Sequence, residues 1–263
     1  MRQLLMMLMM SVSLVAETSM MDTLLPGDNA CMVLFDQNEE NFIILNEARA
    51  AVQFTPFSTH KIPHSLIALE TGLVQSVDSP LSWDRDKYPE EDWWPKTWAG
   101  EHTLRSAIKV SLVPAYRQIA REAGTETMQS YISQFRFGNE DISSGVDSYW
   151  LNGSLEISAM GQVNFLRKFY AGELGLEEKT TSAVRDILVQ EETEKYVLSF
   201  KTGTGTIDTE SGKALAWLVG YVERNDNVYF FAFNMEARNF SEAVALRMKT
   251  ARSILSQLGL IEA

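Results

Sequence analysis

Short hydrophobic runs of the kind that form β-strands lie near both ends of the chain. Residues 31–35 and 41–45 flank the polar stretch DQNEEN, a pattern that predicts a hairpin closed by a loop. Three longer runs follow at residues 195–203, 214–224 and 228–236, and the short polar turn NDN joins the last two. We therefore expect strands from the two ends of the chain to pair in one antiparallel sheet.

Hydrophobic residues in the middle of the chain recur instead at the spacing of α-helices. Residues 106–124 follow this period, although Pro114 must either begin a helix or kink one. Residues 157–174 follow it too, with Ser158 as the expected N-cap, and residues 241–259 return to helix. The pattern predicts an α+β fold, in which an antiparallel β-sheet built from N- and C-terminal strands is flanked by helices and carries an inserted helical region.

The 263 residues contain no internal repeat, low-complexity tract or flexible linker, so we expect a single domain over residues 17–263. We interpret the tryptophan-rich segment at residues 83–98 as a surface connection that could rim a site. Such a surface could also contact a second copy of the chain, so a homodimer stays open as the alternative to a monomer.

The first residues resemble an export signal. One arginine precedes an apolar stretch that ends at Ala16 before a polar shift, which predicts a secretory signal peptide over residues 1–16, with an approximate cleavage position. The alternative is a membrane anchor, but the apolar stretch is shorter than the roughly 20 residues that a span needs. Cys31 is the only cysteine, which excludes an intramolecular disulfide and favours burial in a strand.

The charge of the chain excludes some classes of partner. A formal net charge of −12 and a pI of about 4.8 repel nucleic acids and anionic lipids, and no cluster of lysine and arginine offsets this repulsion. We therefore expect no nucleic-acid partner and no stable association with a membrane.

Ser58 and Lys61 form a Ser-x-x-Lys spacing in front of an apolar run. The spacing is weak by itself, because 23 serines and 10 lysines give roughly one occurrence by chance. Ser106 and Lys109 in fact repeat it. Ser58 has the advantage of a place at a helix N-terminus, where backbone N–H groups and the helix dipole favour a developing oxyanion.

The neighbours of this pair complicate the helix. Lys61 lies on the same helix face as Ser58 and could reach its hydroxyl, whereas His60 should point away. Pro63 implies an irregular first turn. His60 and His64 lie four residues apart, but without the glutamate of an HExxH motif they are more typical of structural residues than of zinc ligands.

The tripeptide KTG at residues 201–203 strengthens the case for a serine nucleophile. Its expected number of chance occurrences is about 0.04, and it ends a predicted strand that could line a cleft beside Ser58. Ser-x-x-Lys and Lys-Thr-Gly occur together in serine enzymes that react with β-lactams, although the usual Ser-Asp-Asn element is absent here.

A series of five motifs completes the pattern: STHK (58–61), SLV (111–113), FGN (137–139), YWL (149–151) and KTG (201–203). In this order, and from about Cys31 to the C-terminal helix, the chain resembles the class D, oxacillinase-type β-lactamases. This resemblance implies a β-lactamase/transpeptidase-like fold and penicillin-type β-lactams as small-molecule substrates, and the predicted signal peptide adds a periplasmic location.

The resemblance also implies a mechanism. Ser58 would be the acylated nucleophile, and Lys61 would take up CO₂ to become N6-carboxylysine, the general base. CO₂ or bicarbonate would be needed, but no prosthetic group and no metal. A lysine buried in an apolar pocket has a depressed pKa and can attack CO₂ as the neutral amine.

Further roles follow from the same resemblance. Backbone N–H groups of Ser58 and Thr204 would form an oxyanion hole. The other implied site residues are Trp150, which would hold the modified lysine, Val113 as a hydrophobic wall, Ser111 and Lys201 as a proton relay to the leaving nitrogen, and Thr202, Gly203, Thr204 and Arg247 for substrate binding. Arg247 would bind the substrate carboxylate, and the alternative is an exposed helix arginine.

Two residues depart from the family pattern, and two other functions compete. His60 stands where the family usually has phenylalanine, and Phe137 stands where many members have tyrosine. The main alternative is a non-hydrolytic β-lactam sensor domain of a membrane receptor, against which the lack of a second apolar span argues. A peptidoglycan transpeptidase or carboxypeptidase is the third hypothesis, disfavoured by the missing Ser-Asp-Asn.

Overall fold

A six-stranded antiparallel sheet forms the centre of the computed structural model, which describes residues 24–151 and 153–262. The predicted signal segment at residues 1–16 lies outside this range. The strands are β1 (Ala30–Asp36), β2 (Asn41–Leu45), β3 (Pro80–Leu81), β4 (His102–Thr103), β5 (Val189–Glu192), β6 (Val197–Thr206), β7 (Ala214–Arg224) and β8 (Asn227–Ala237). The sheet has the order β2-β1-β8-β7-β6-β5, and β3 and β4 form a separate two-stranded ribbon.

Helices cover both faces of the sheet, which confirms the predicted α+β fold. The helices are α1 (Glu47–Ala50), α2 (Lys61–Glu70), α3 (Leu104–Val110), α4 (Val113–Phe135), α5 (Ala159–Tyr170), α6 (Glu178–Leu188) and α7 (Phe240–Gln257), and the 3₁₀ turns are Phe57–His60 and Lys96–Trp98. The C-terminal helix α7 packs on β6, β7 and β8, while α5 packs on the opposite face against β1, β7 and β8.

Burial on both faces explains the apolar sequence of the central strands. In β7, Trp217 packs into the core shared with α2, α4 and α5, whereas the adjacent Leu218 packs under α7. Successive side chains point to opposite faces, so a strand covered on both sides needs hydrophobic residues at nearly every position. Cys31 in β1 is likewise fully buried and free, as predicted.

The predicted helix at residues 106–124 is interrupted. Ser111 has a left-handed backbone with φ 58°, which ends α3 and separates it from α4. Pro114 lies in the first turn of α4, where its missing N–H leaves no helical bond unmade. Gly124, with φ 79°, then kinks α4. The proline therefore begins a helix, and the left-handed serine before it was not predicted.

The tryptophan-rich segment at residues 83–98 lies at the surface, as predicted, and is anchored there by buried aromatic side chains. Most of its residues are exposed, including Trp93 at 62%, whereas Trp83, Tyr88 and Trp98 are buried in the main core. Large aromatic side chains bury enough apolar area to anchor a segment without regular secondary structure. Among residues 24–151 and 153–262, no helix is long and apolar enough to cross a membrane.

Candidate active site

The Ser58 hydroxyl and the Lys61 amine meet where a 3₁₀ turn passes into α2. The irregular first turn that Pro63 implied is this 3₁₀ turn. Lys61 Nζ lies 2.9 Å from Ser58 Oγ, and Lys61 is fully buried whereas Ser58 is half-buried. Burial lowers the pKa of Lys61 from 10.5 to about 7, because a buried ammonium loses its hydration. A large fraction of this lysine is therefore a neutral amine at neutral pH.

Residues of α2 and α4 enclose the buried lysine. The Lys61 Nζ atom lies 5.2 Å from the centre of the Tyr116 ring, and Ser65 Oγ donates a 2.8 Å hydrogen bond to the Lys61 carbonyl. Ser65 and Tyr116 share a further hydrogen bond of 2.9 Å between their hydroxyls. These contacts hold the helix turn that carries Lys61 against α4.

A second lysine–serine pair lies across the cleft. Lys201 Nζ on β6 donates a 2.6 Å hydrogen bond to the hydroxyl of Ser111, the left-handed residue between α3 and α4. It also donates to the Thr202 carbonyl at 3.1 Å. Burial, followed by the positive charges of Lys61 and Arg247, holds the pKa of Lys201 well below its usual value. Such a lysine can exchange a proton with Ser111.

Arg247 supplies positive charge beside β6. Its Nη1 donates hydrogen bonds to the Gly203 carbonyl at 3.4 Å and to the Thr204 hydroxyl. The side chain is half-buried, and its desolvation lowers the pKa of Arg247 to about 10. The alternative of an exposed helix arginine is therefore wrong, although a carboxylate-binding role stays a prediction.

An open cleft of about 430 Å³ joins these groups. Six of the residues named from the sequence line it, namely Ser58, Ser111, Val113, Thr202, Thr204 and Arg247. Lys61 and Lys201 lie behind the two serines that they contact, and Gly203 lies in the strand between Thr202 and Thr204. The structure thus brings the two halves of the predicted site to one cavity, although their individual roles stay predictions.

Trp150 is fully buried, and the structure describes no partner for its indole Nε1 within residues 24–151 and 153–262. A buried N–H without an acceptor costs about 1–3 kcal/mol, so the unpaired N–H of Trp150 calls for an explanation. An additional acceptor group in the lysine pocket would supply one.

The cleft also has an apolar rim, to which the tryptophan-rich segment contributes as predicted, whereas the start of α7 was not identified from the sequence. Trp93 from the tryptophan-rich segment lines one side, and Phe240 and Val244 from the start of α7 line another, together with Leu151. Phe240 and Val244 are 50% and 37% exposed. An exposed apolar pair one turn apart at the start of a predicted helix is the signal that could have indicated them.

Gly203 and Gly205 allow β6 to pack closely on the turn that carries Ser58. A Cβ atom at Gly203 would lie 2.7 Å from the Pro56 carbonyl oxygen, and one at Gly205 would lie 1.9 Å from the Phe57 ring. Phe57 itself has a left-handed backbone with φ 48°, a strained conformation for a bulky residue. The position of Ser58 therefore depends on contact between β6 and residues 56–59.

We expect Gly203→Ala to lower the free energy of unfolding by about 1–3 kcal/mol, since backbone atoms of Pro56 must move to accept the methyl group. The displaced turn should also lower kcat/KM by about tenfold or more. Gly172→Ala is the control, because Gly172 has φ 72° and open space around it, so stability should fall while kcat/KM is unchanged. Urea unfolding and steady-state kinetics measure both effects, and an unaffected kcat/KM in Gly203→Ala would contradict the prediction.

The repeated Ser-x-x-Lys spacing has a structural role. Ser106 forms a capping box with Thr103 at the start of α3, and Lys109 is exposed. Neither residue lines the cleft. Within residues 24–151 and 153–262, no group of three His, Cys, Asp or Glu side chains is arranged to hold a metal ion.

The two histidines of α2 and its preceding turn lie in the core. His60 and His64 are fully buried, and each Nε2 shares a hydrogen bond with the Tyr149 hydroxyl, at 2.9 and 3.3 Å. Phe137 packs against the His60 ring, with ring centres 5.0 Å apart. The structural interpretation of the histidines agrees with these contacts, whereas their link to Tyr149 was not predicted.

Comparisons with known proteins place these features in one family. Residues 30–256 match the penicillin binding protein transpeptidase domain family. The chain is 39% identical over 233 residues to β-lactamase OXA-10 of Pseudomonas aeruginosa, covering 89% of this chain and 85% of that protein. It is 36% identical over 228 residues to the regulatory protein BlaR1 of Bacillus licheniformis, covering 87% of this chain but 36% of the regulator.

The fold is shared with solved structures. FUS-1 (OXA-85), a class D β-lactamase from Fusobacterium nucleatum subsp. polymorphum, superposes with a TM-score of 0.82. Its sequence is 34% identical, and the superposition covers 89% of this chain and 94% of that one. The likeness therefore covers most of the fold.

Proposed function

The chain belongs to the class D β-lactamases, serine enzymes that open the β-lactam ring, and on that premise we propose that it hydrolyses penicillin-type antibiotics through an acyl-enzyme on Ser58 and so confers resistance to them. The observation that carries the proposal is the 2.9 Å approach of Lys61 Nζ to Ser58 Oγ. The lowered pKa of Lys61 fits a group that accepts a proton from the nucleophile.

In the acylation step, Ser58 Oγ attacks the lactam carbonyl and loses its proton to the base at Lys61. Backbone N–H groups of Ser58 and Thr204 stabilise the oxyanion. As the C–N bond of the lactam ring breaks, its nitrogen receives a proton from Ser111, which Lys201 in its protonated form can replenish across their 2.6 Å hydrogen bond. Arg247 and Thr204, already in contact, attract the substrate carboxylate.

The residues around Lys61 fit its proposed N-carboxylation by CO₂. A neutral amine is the form that reacts with CO₂, and Val113 lines the apolar side of the cleft. Trp150 Nε1, which has no described partner, would donate to the added carboxylate. When present, that group would supply an anionic base for acylation and for activating the deacylating water.

Removing the Trp150 N–H tests this fit. We expect Trp150→Phe, which keeps the aromatic bulk, to lose about tenfold or more of kcat at ambient CO₂, because a charged hydrogen bond is worth about 1.5–3 kcal/mol. Added bicarbonate should restore part of the rate. Nitrocefin hydrolysis measured at increasing bicarbonate gives, for each protein, the bicarbonate concentration at half-maximal rate, here called the half-saturation. The same half-saturation in the variant and the unsubstituted protein would contradict a role for this N–H.

The alternative is a non-hydrolytic β-lactam sensor, as the likeness to BlaR1 requires us to consider. Sustained nitrocefin turnover that rises with bicarbonate would support the enzyme. A single stoichiometric burst, unaffected by bicarbonate, would mean that Ser58 is acylated without release, and the sensor would replace the proposal.

The proposal extends to the setting in which the enzyme acts. We propose export through residues 1–16 to the periplasm, where β-lactams would be met before they reach their targets. The same proposal includes a single domain over residues 17–263 and no stable association with a membrane. It also includes a homodimer as the alternative to a monomer.

A further inference from the structure

His60, His64 and Tyr149 form a buried polar cluster beside the lysine pocket, here called the histidine–tyrosine cluster. The Tyr149 hydroxyl bonds to Nε2 of both histidines, at 2.9 Å for His60 and 3.3 Å for His64. The histidines are fully buried, and their ring centres lie 4.5 Å apart. The mechanism proposed above does not use this cluster.

The hydrogen bonds of the cluster leave an imidazole nitrogen able to accept a proton. Tyr149 has one hydroxyl proton, so it can donate to only one of the two Nε2 atoms and must accept from any other. A histidine that donates through Nε2–H has a bare Nδ1 when it is neutral. Both Nδ1 atoms are buried without a described partner in residues 24–151 and 153–262. At least one of them therefore offers an unused lone pair.

The cluster is packed against the residues proposed to surround the carboxylated lysine. The Trp150 ring is stacked on His60 with centres 6.0 Å apart and meets the edge of His64 at 4.3 Å. His60 directly precedes Lys61 in the chain, and the positive charge of Lys61 acts on both histidines. Carboxylation of Lys61 would therefore change the charge that these imidazoles experience.

The aromatic groups that face the cluster do not compete for its proton. The ring neighbours are Tyr116 and Phe137, from α4 and the segment after it, together with Tyr149 and Trp150. Burial raises the pKa values of Tyr116 and Tyr149 above that of an ordinary phenol. Burial lowers the pKa values of His60 and His64 well below 6.5, followed by the charge of Lys61 for His60 and by the charges of His60 and Lys61 for His64, which favours neutral imidazoles at neutral pH beside an unmodified lysine.

We propose that the histidine–tyrosine cluster takes up the proton that N-carboxylation of Lys61 releases. This inference rests on the proposed function. A bond forms between Lys61 Nζ and the carbon of CO₂, one N–H bond of the amine breaks, and the proton passes to a bare imidazole nitrogen. The product is a carboxylate beside an imidazolium, so the pocket stays neutral overall.

The pH dependence of CO₂ binding shows whether the cluster keeps this proton. Below the pKa of Lys61, the ammonium must lose one proton before it reacts, and the reaction releases a second. If the cluster keeps the second proton, affinity for dissolved CO₂ should fall about tenfold per pH unit on acidification, since one proton is released overall. If it does not, the fall should be about a hundredfold per pH unit.

The test is a ¹³C NMR titration of the full chain with ¹³C-labelled CO₂ between pH 5 and 6.5, which counts carboxylated lysine without reference to activity. The variant is His60→Gln with His64→Gln, in which amide groups can still bond to Tyr149 but cannot take up a proton. The matched control is His102→Gln, because His102 is the third histidine of the chain and bonds to Ser106 outside the cluster.

We expect the unsubstituted protein and His102→Gln to lose CO₂ affinity about tenfold per pH unit and the double variant about a hundredfold. Each single variant extends the test if the double variant unfolds, and at least one of them should show the steeper dependence. Equal slopes in all folded proteins would overturn the inference and leave the proposed function intact. No carboxylated lysine in any protein would overturn the inference together with the proposed base.

Discussion

Ser58→Ala should lower kcat/KM for nitrocefin by about 10⁴-fold or more, because no acyl-enzyme can form without the hydroxyl. The loss should come without unfolding, since Ser58 is half-buried and bonds to Lys61 through the removed oxygen alone. Steady-state kinetics measures the loss, and the mass of the intact protein after incubation with a penicillin shows whether a covalent adduct forms.

Ser106→Ala is the matched control for this variant. Ser106 has the same spacing to a lysine but caps α3, so its removal should cost about 1 kcal/mol of stability and leave kcat/KM unchanged. A penicillin adduct on the Ser58→Ala protein would show that another group is the nucleophile, and the proposed function would then be wrong.

Lys61→Met should stop turnover at a different step. We expect kcat to fall by about 10²–10⁴-fold, the range that general-base catalysis contributes. A thioether can neither accept the Ser58 proton nor react with CO₂, so any acyl-enzyme that forms slowly should persist. The intact-protein mass should then increase by one penicillin molecule and stay so, and added bicarbonate should have no effect.

Lys109→Met serves as the control, because Lys109 is exposed and belongs to the repeated spacing outside the cleft. It should hydrolyse nitrocefin at the unsubstituted rate and respond to bicarbonate in the same way. Rapid loss of the adduct from the Lys61→Met protein would contradict the assignment of the base and direct attention to the other buried lysine, Lys201.

Local pattern was sufficient for most of the fold. The apolar run at residues 214–224 matches β7 residue for residue, because helices cover the strand on both faces and impose a hydrophobic side chain at nearly every position. The break at Ser111 was missed, since nothing in its neighbourhood requires a left-handed serine. Its conformation serves a contact with Lys201, 90 positions further along the chain.

The site was harder to predict wherever it depends on tertiary contacts. Motif spacing indicated Ser58, Lys61 and Lys201, whose chemistry is carried by the residues themselves. The two histidines were expected to be structural, and only the fold shows that Tyr149 joins them. The apolar rim formed by Trp93 and Phe240 likewise comes from segments that are far apart in sequence.

The buried amine of Lys61 makes the stability of the protein depend on both pH and a dissolved gas. Its pKa falls from 10.5 to about 7 on folding, so between these values the unfolded chain holds a proton that the folded chain lacks. The free energy of unfolding therefore rises with pH across this window, by about 1.4 kcal/mol per pH unit from this group. CO₂ that reacts with the amine only in the folded state would act as a stabilising ligand and raise the melting temperature by mass action. The unmodified, buried amine of Lys61 lowers the stability of the fold, and dissolved CO₂ would thus restore part of that stability.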